Sequence, residues 1–204
     1  MRSALSKGLL LGCLLAAGPA SAHKQVASER GILQFRADST ELLYEISFPP
    51  GPEAAHWRLL YDRDHNGRLS AEEYGLLARG MAEALKTRVK LFLEGNELPL
   101  RVIDAKVSAT EASNPLTGKL QALVWLGARE MPPGLRKVEV EVKPIIDPAE
   151  PVLIRLEPDR STIDSIVGVP QVSIDGGNKG IRMREGLHAT ILLNVPVANA
   201  HEGK

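Results

Sequence analysis

The sequence predicts a mainly β protein: an antiparallel β-sandwich into which one helix–loop–helix segment is inserted. About nine short runs rich in β-branched or aromatic residues follow one another at close spacing. Strands that succeed each other without helices between them favour antiparallel pairing in a sandwich. Only residues 53–61 and 71–87 repeat apolar residues at helical spacing. Helix is therefore expected to be almost confined to these two stretches.

Residues 1–22 carry the features of a secretory signal peptide. Basic residues precede a short apolar run, Pro19 breaks that run, and "ASA" at 20–22 is a small-residue cleavage site. The apolar run is too short to span a bilayer. We therefore expect cleavage after Ala22, leaving a β-rich domain over 23–204 that is exported and is periplasmic or secreted.

Cleavage at this site would remove Cys13, the single cysteine of the chain, and with it any disulfide chemistry. An uncleaved anchor and lipoprotein processing at Cys13 are the alternatives. The 25 basic and 25 acidic residues balance to zero, which gives no reason to expect nucleic acid as a partner. After residue 22 no segment is long and apolar enough for a transmembrane helix.

The first half of the domain contains two strands and then the two helices. The strands are "GILQFRA" and "TELLYEISF", and "PPGPE" breaks the chain after them. The helix over 53–61 has an apolar stripe at i, i+3 and i+4, formed by Trp57, Leu60 and Tyr61. The helix over 71–86 has one apolar face, formed by Tyr74, Leu77, Ala78, Met81 and Leu85.

From Thr87 onward the hydrophobic period changes to two. "RVKLFLEGNELPLRVIDAKV" predicts a hairpin with Gly95 and Asn96 at its tip. "LQALVWLGA" is nearly all apolar and predicts a central strand covered on both faces. "RKVEVEVKP" alternates strictly and predicts inward-facing valines. "PVLIRLEP", "PQVSID", "GIRMRE" and "LHATILLNVPV" complete the strands, and "PIIDPAEP" predicts either a boundary between two sub-sheets or a stiff crossover.

The loop between the two helices, "DRDHNGRLSAEE", has an unusual polar spacing. Numbered from Asp62, oxygen-bearing side chains fall at positions 1, 3, 5, 9 and 12, and Gly67 is at position 6. This spacing matches a calcium-binding loop motif, because a loop wrapped around an ion turns alternate side chains inward. Calcium takes six to eight oxygen ligands. The glycine permits the sharp bend that the loop needs.

Over about residues 53–86 the chain resembles the EF-hand family, in both the loop and the helices that flank it. The resemblance implies that Ca²⁺ is bound by Asp62, Asp64, Asn66, the backbone carbonyl of Arg68, Ser70 and Glu73. The alternative is a metal-free surface turn followed by a capping box, in which Ser70 is the N-cap and Glu73 the N3 residue of the second helix. A capping box does not, however, require the acids and the glycine of the first half of the loop.

The loop has no second copy in the chain, although EF-hands usually occur in pairs. Arg58, Arg63 and Arg68 also offset the negative charge of the ligands. Both features predict weak binding, with a dissociation constant on the order of 10⁻⁴ M, as in extracellular modules. We therefore expect calcium to stabilise the fold and not to act as a cytosolic signal.

A second, broader resemblance covers residues 22–105. The mature start "AH", the early strands, the helical pair and "LFLEGNELPL" are similar to exported domains associated with nickel or cobalt transporters and with hydrogenase- or urease-accessory membrane proteins. An N-terminal His23 could also chelate copper together with His188 or His201. His56 and His65 are expected at the surface.

Catalytic signatures such as G-x-S-x-G or H-E-x-x-H do not occur in the sequence. The sequence therefore favours a non-enzymatic binding or interaction module that carries structural calcium and contacts another envelope or membrane protein. The first alternative is a periplasmic accessory to nickel, cobalt or copper uptake. The second alternative is an unrecognised hydrolase.

Overall fold

The computed structural model describes residues 27–36, 39–109, 118–128, 132–146, 151–159, 161–174, 179–184 and 186–195. The predicted signal peptide lies outside these residues, as do Cys13, His23 and His201. The described residues form twelve strands and two helices. The first half of the chain contributes β1 (Ser28–Phe35), β2 (Thr40–Phe48), α1 (Pro52–Tyr61), α2 (Ala71–Lys86), β3 (Val89–Leu93), β4 (Asn96–Leu98) and β5 (Arg101–Ala109). The second half contributes β6 (Leu120–Ala128), β7 (Gly134–Val142), β8 (Val152–Pro158), β9 (Thr162–Val167), β10 (Gln171–Ser173), β11 (Lys179–Met183) and β12 (His188–Val195).

The strands form two sheets. The larger has seven strands in the order β10-β11-β8-β1-β2-β6-β5, and the smaller has five in the order β4-β3-β7-β12-β9. Neighbouring described strands are antiparallel except β1 and β8, which run parallel. The expectation of a wholly antiparallel arrangement is wrong at this pair. The mainly β class is confirmed, and the two sheets are consistent with a β-sandwich-like fold.

One hydrophobic cluster takes side chains from both sheets. Alternate residues of β2 are buried along its whole length, with Tyr44 and Ile46 fully enclosed. The predicted inward valines of β7, at 138, 140 and 142, are all buried. The period of two in these strands is therefore the pattern of a sheet with one face on the core.

Strand β6 corrects one expectation. It lies between β2 and β5 and is interior to its sheet, but only one of its faces is covered. Leu120, Val124 and Leu126 are buried, whereas Leu123 is 41% exposed and Trp125 is half-buried on the opposite face. An apolar run shows that a strand is hydrophobic on both faces, but the covering of each face depends on packing partners distant in sequence.

The predicted hairpin after residue 87 is also corrected. Leu93 pairs with Asn96, so the two-residue tip is Glu94 and Gly95, both with positive φ (50° and 81°). Positive φ at both positions is what a type I′ turn requires. The return strand β4 ends at Leu98, since Pro99 cannot donate to the ladder. The chain then continues as β5, which pairs with β6 in the other sheet.

Both predicted helices are confirmed, and α2 packs against β5 and β6. Its predicted apolar face is buried through Leu77, Met81 and Leu85. The stripe predicted on α1 is partly wrong: Trp57 and Tyr61 are half-buried, but Leu60 is 61% exposed. The small residues Ala54 and Ala55 face inward instead, because they allow α1 to lie close to the body of the protein.

Neither helix of the described residues is long and apolar enough to cross a membrane. After residue 100, the described segments contain strands and connections only, as the sequence predicted. The segment "PIIDPAEP" connects β7 of the smaller sheet to β8 of the larger one. Its described part therefore belongs to a crossover between sheets, which was one of the two predicted alternatives.

Candidate metal centre

The loop between α1 and α2 has nine residues, 62–70. Helix α1 ends where Asp62 donates its backbone N–H to the Arg58 carbonyl at 3.0 Å. His65 and Gly67 have φ values of 56° and 79°, in the left-handed region. Glycine adopts this conformation without the steric cost that a Cβ imposes, which explains why glycine suits position 67.

Three carboxylates converge inside the loop. One oxygen each from Asp62, Asp64 and Glu73 lies within 4.8 Å of the other two. Asp62 and Glu73 are buried, at 4% and 5% exposure, whereas Asp64 is exposed. The structure therefore brings together the three charged residues of the predicted ligand set, although they are separated by up to eleven positions in sequence.

Backbone N–H groups hold the two aspartates in place. Asp62 accepts hydrogen bonds from the N–H of Asn66 (3.1 Å, to Oδ1) and of Gly67 (2.9 Å, to Oδ2). Asp64 Oδ1 accepts from the same Asn66 N–H at 3.2 Å. The sequence pattern does not reveal these backbone donors, because any residue except proline has an N–H and only the loop conformation directs it.

Glu73 connects the two ends of the loop. Its Oε2 accepts from the Ser70 N–H at 2.8 Å, and its Oε1 accepts from the Arg63 N–H at 2.7 Å. These hydrogen bonds, chiefly the one from Ser70, lower the pKa of the Glu73 carboxyl below its ordinary value. The carboxylate is therefore ionised at neutral pH.

A capping box is present at the start of α2, as the metal-free alternative predicted. Ser70 Oγ accepts a hydrogen bond from the Glu73 N–H at 3.3 Å, and the Glu73 carboxylate accepts one from the Ser70 N–H. The box uses only one carboxylate oxygen. The bond from Arg63 to the other oxygen lies outside the box and draws Glu73 toward Asp62.

The remaining predicted ligands border the three carboxylates. Asn66 Nδ2 donates to Asp64 Oδ2 at 2.7 Å, and Asn66 Oδ1 accepts from the Arg68 N–H at 2.7 Å. Ser70 is linked to Glu73 through the capping box. The role of all six residues as calcium ligands, including Arg68 through its backbone carbonyl, stays a prediction.

Backbone N–H groups donate hydrogen bonds to all three carboxylates. Within the described part of the chain, none of the three forms an ion pair. Arg63 and Arg68 are exposed, and the buried Arg58 donates through its guanidinium to the Lys119 carbonyl at 2.9 Å. Like charges this close repel each other, so a bound cation would stabilise the loop.

No histidine of the described residues belongs to this cluster of acids. His56 and His65 are exposed, as expected, and His188 is exposed on β12. His56 lines a surface cleft of about 340 Å³ together with Glu53, Trp57 and other residues. The cleft contains one carboxylate and one imidazole. Copper binding through His23 and hydrolase activity both stay predictions.

Among the described residues, Asp62, Asp64 and Glu73 are the one group of three or more His, Cys, Asp or Glu side chains that could hold a metal ion. No protein-family model matches the chain, and no curated protein matches it significantly. The functional conclusion therefore depends on the residues and geometry of the loop.

Proposed function

We propose that residues 62–73 bind one Ca²⁺ ion and that the protein is an exported module in which this ion has a structural role. The observation that carries the proposal is the convergence of three carboxylates within 4.8 Å in the absence of an ion pair in the described residues. Asp62, Asp64 and Glu73 would provide the charge. Asn66, Ser70 and the carbonyl of Arg68 would complete an oxygen shell in the manner of an EF-hand.

The chemistry of the donors favours calcium over transition metals. The predicted ligands are all oxygen atoms, from carboxylates, an amide, a hydroxyl and a carbonyl. Nickel, cobalt and copper prefer sites that include imidazole or thiolate, whereas calcium takes oxygen ligands in flexible geometry. A loop that offers up to six protein ligands also suits calcium better than magnesium, which usually retains several waters.

The hydrogen bonds of the loop and the packing of α2 support a structural ion and not a switch. Backbone N–H groups already orient Asp62 and Glu73 toward a common point. The apolar face of α2 is part of the hydrophobic core, so exposing it on calcium binding would cost the packing of that core. Calcium would therefore relieve repulsion between the carboxylates and tie the loop to α2, with little movement of either helix.

The proposal also includes export of the protein and contact with a partner outside the cytoplasm. Residues 1–22 direct the chain out of the cytoplasm, and the mature β-sandwich presents its surface to another envelope or membrane protein. Calcium at millimolar concentration outside the cytoplasm would keep a site with a dissociation constant of about 10⁻⁴ M occupied. No contact in the described residues favours an accessory role in nickel, cobalt or copper uptake over this function.

Thermal melting in EDTA and in excess Ca²⁺ tests the calcium site. Wild type should melt at a higher temperature in calcium, and Glu73→Gln should lose most of this shift, because the variant lacks one ligand charge and still caps α2. Glu72→Gln is the matched control: it removes the same charge from an exposed neighbour in the same helical turn and should retain the full shift. Equal melting temperatures for wild type in the two buffers would contradict the proposal.

A further inference from the structure

Helix α2 contains two glycines with opposite surroundings. A Cβ added to Gly75 would meet nothing within 4 Å. A Cβ added to Gly80 would lie 1.7 Å from the hydroxyl oxygen of Tyr61 and 2.6 Å from its Cζ. Glycine in a helix interior is unfavourable relative to alanine. At position 80 the structure requires glycine, because the ring of Tyr61 fills the space that a side chain would occupy.

This contact belongs to the same pair of helices as the metal centre. Tyr61 is the last residue of α1 and precedes Asp62, and Gly80 follows Glu73 by seven residues on α2. Seven residues are about two helical turns, so Gly80 and Glu73 lie on the same side of α2. The Tyr61 ring therefore contacts α2 at Gly80, and about two turns earlier the Glu73 carboxylate accepts a hydrogen bond from Arg63, in the loop that follows α1.

We propose that Tyr61 and Gly80 are positioning residues for the calcium site. The Tyr61 ring, seated directly on the backbone of Gly80, sets the separation of the helices and thereby the approach of Asp62 to Glu73. This inference rests on the proposed calcium site. It assigns a metal-related role to two residues that contribute no ligand atom.

A side chain at position 80 would disturb this geometry by a large amount. Ordinary van der Waals contact begins at 3.4 Å, so the Tyr61 hydroxyl would have to move by about 1.7 Å from a new Cβ. The clashing atoms are the far end of the Tyr61 side chain, but the ring is partly buried and packs against the hydrophobic core, so moving it would disturb the packing at the end of α1. Asp62 directly follows Tyr61, so this disturbance would reach the first predicted ligand of the loop.

Calcium titration of the full-length protein by calorimetry tests the inference. Gly80→Ala should raise the dissociation constant by about tenfold or more, as is typical when residues that support metal ligands are changed. Gly75→Ala, in the same helix and also Gly to Ala, should leave the dissociation constant within about twofold of wild type. A folded Gly80→Ala protein that binds calcium as wild type does would overturn the positioning role.

Melting temperatures separate positioning from a general loss of stability. A positioning defect shrinks the calcium-induced rise in melting temperature of Gly80→Ala, whereas a purely structural defect lowers the melting temperature in EDTA and leaves the rise unchanged. The second result would overturn the inference. Absence of calcium binding by wild type would instead overturn the proposed function, and this inference with it.

A compensating substitution identifies Tyr61 as the contacting residue. Leucine lacks the Cε1, Cζ and hydroxyl atoms that a Cβ at position 80 would meet. In a Tyr61→Leu background, adding Gly80→Ala should change the dissociation constant by no more than about twofold. If Gly80→Ala alone does not fold, recovery of folding and calcium binding in the double variant supports the inference. Failure of the double variant to fold would overturn it.

Discussion

The carboxyl group of Glu29 is buried, at 5% exposure, and its hydrogen-bond partners lie outside the loop of residues 62–70. Its Oε2 accepts a hydrogen bond from the Tyr44 hydroxyl at 2.5 Å, and its Oε1 accepts from the Ile146 N–H at 2.6 Å. The first bond joins β1 to β2. The second fastens the segment after β7 to β1, so this carboxyl connects the crossover between the sheets to the larger sheet.

Burial raises the pKa of Glu29, and the hydrogen bonds from Ile146 and Tyr44 and the charge of Arg88 offset only part of the rise. The folded protein therefore keeps this proton at pH values where the unfolded chain has lost it. The resulting contribution to stability is complete below the ordinary value of 4.5 and declines as the pH rises through the raised folded pKa.

Glu29→Gln should remove this pH dependence, because an amide does not ionise yet still offers an oxygen to the Ile146 N–H. Urea denaturation of both proteins from about pH 4 to about pH 8 measures it. The variant should gain stability relative to wild type as the pH rises. Glu73, with its lowered pKa, loses stabilisation at acid pH equally in both proteins. A difference in the free energy of unfolding between the two proteins that does not change with pH would contradict the prediction.

At the residue scale, the sequence identified the carboxylates of the loop but not Glu29. Asp62, Asp64 and Glu73 follow a fixed spacing that corresponds to one backbone conformation. Glu29 has no comparable spacing, since its partners at 44 and 146 come from distant parts of the chain. The alternation of β1 does place it on the inward face with Leu33, and this was the available signal.

At the scale of elements, α1 and α2 differ in how they pack. Helix α2 buries Leu77 completely, and Leu77 belongs to the core cluster shared by the two sheets. Helix α1 contributes the small Ala54 to this cluster and leaves Leu60 61% exposed. Both leucines belong to the apolar stripes predicted for the two helices, so their substitution distinguishes the observed burial from the predicted one.

Leu77→Ala should lower the free energy of unfolding by about 2–5 kcal/mol, because it leaves a cavity in a close-packed core. Leu60→Ala removes the same atoms from an exposed position and should change the free energy of unfolding by no more than about 0.5 kcal/mol. Urea denaturation with a shared m-value measures both. A loss of several kcal/mol in Leu60→Ala would show that α1 packs through its predicted stripe.

Secondary structure was predictable wherever one local pattern dominated. Strict alternation in "KVEVEV" located β7, and helical spacing located α1 and α2. Strand β9, "TIDSIV", was not predicted because its isoleucines and valine do not alternate strictly with polar residues. Only Ile166 is buried in it. The division of the predicted hairpin between two sheets was missed as well, because the pairing of β5 with β6 is decided outside the local sequence.

At the scale of the whole molecule, the central pairing of the larger sheet joins distant parts of the chain. Strand β1 pairs in parallel with β8, with Leu33 opposite Leu156. Periodicity predicts that both segments are strands and which faces are buried, but it contains no information on the partner or the direction. The mainly β class could therefore be predicted from the sequence, whereas the mixed sheet could not.

Calcium should stabilise this whole molecule by mass action, since the proposed site forms only when α1 and α2 are folded on the sheet. With a dissociation constant of about 10⁻⁴ M, about 5 mM Ca²⁺ adds roughly 2.3 kcal/mol to the free energy of unfolding. For a domain of this size, that corresponds to a rise in melting temperature of about 5–9 °C.

Calorimetric scans over a series of calcium concentrations measure this rise. Above the dissociation constant, the melting temperature should increase in proportion to the logarithm of the concentration, while the far-ultraviolet circular dichroism of the folded protein stays constant. A constant spectrum is expected because backbone N–H groups of the protein itself hold Asp62 and Glu73 in place. A large gain of helical signal on calcium addition would instead show that the ion folds the loop and its helices, which contradicts a preorganised structural site.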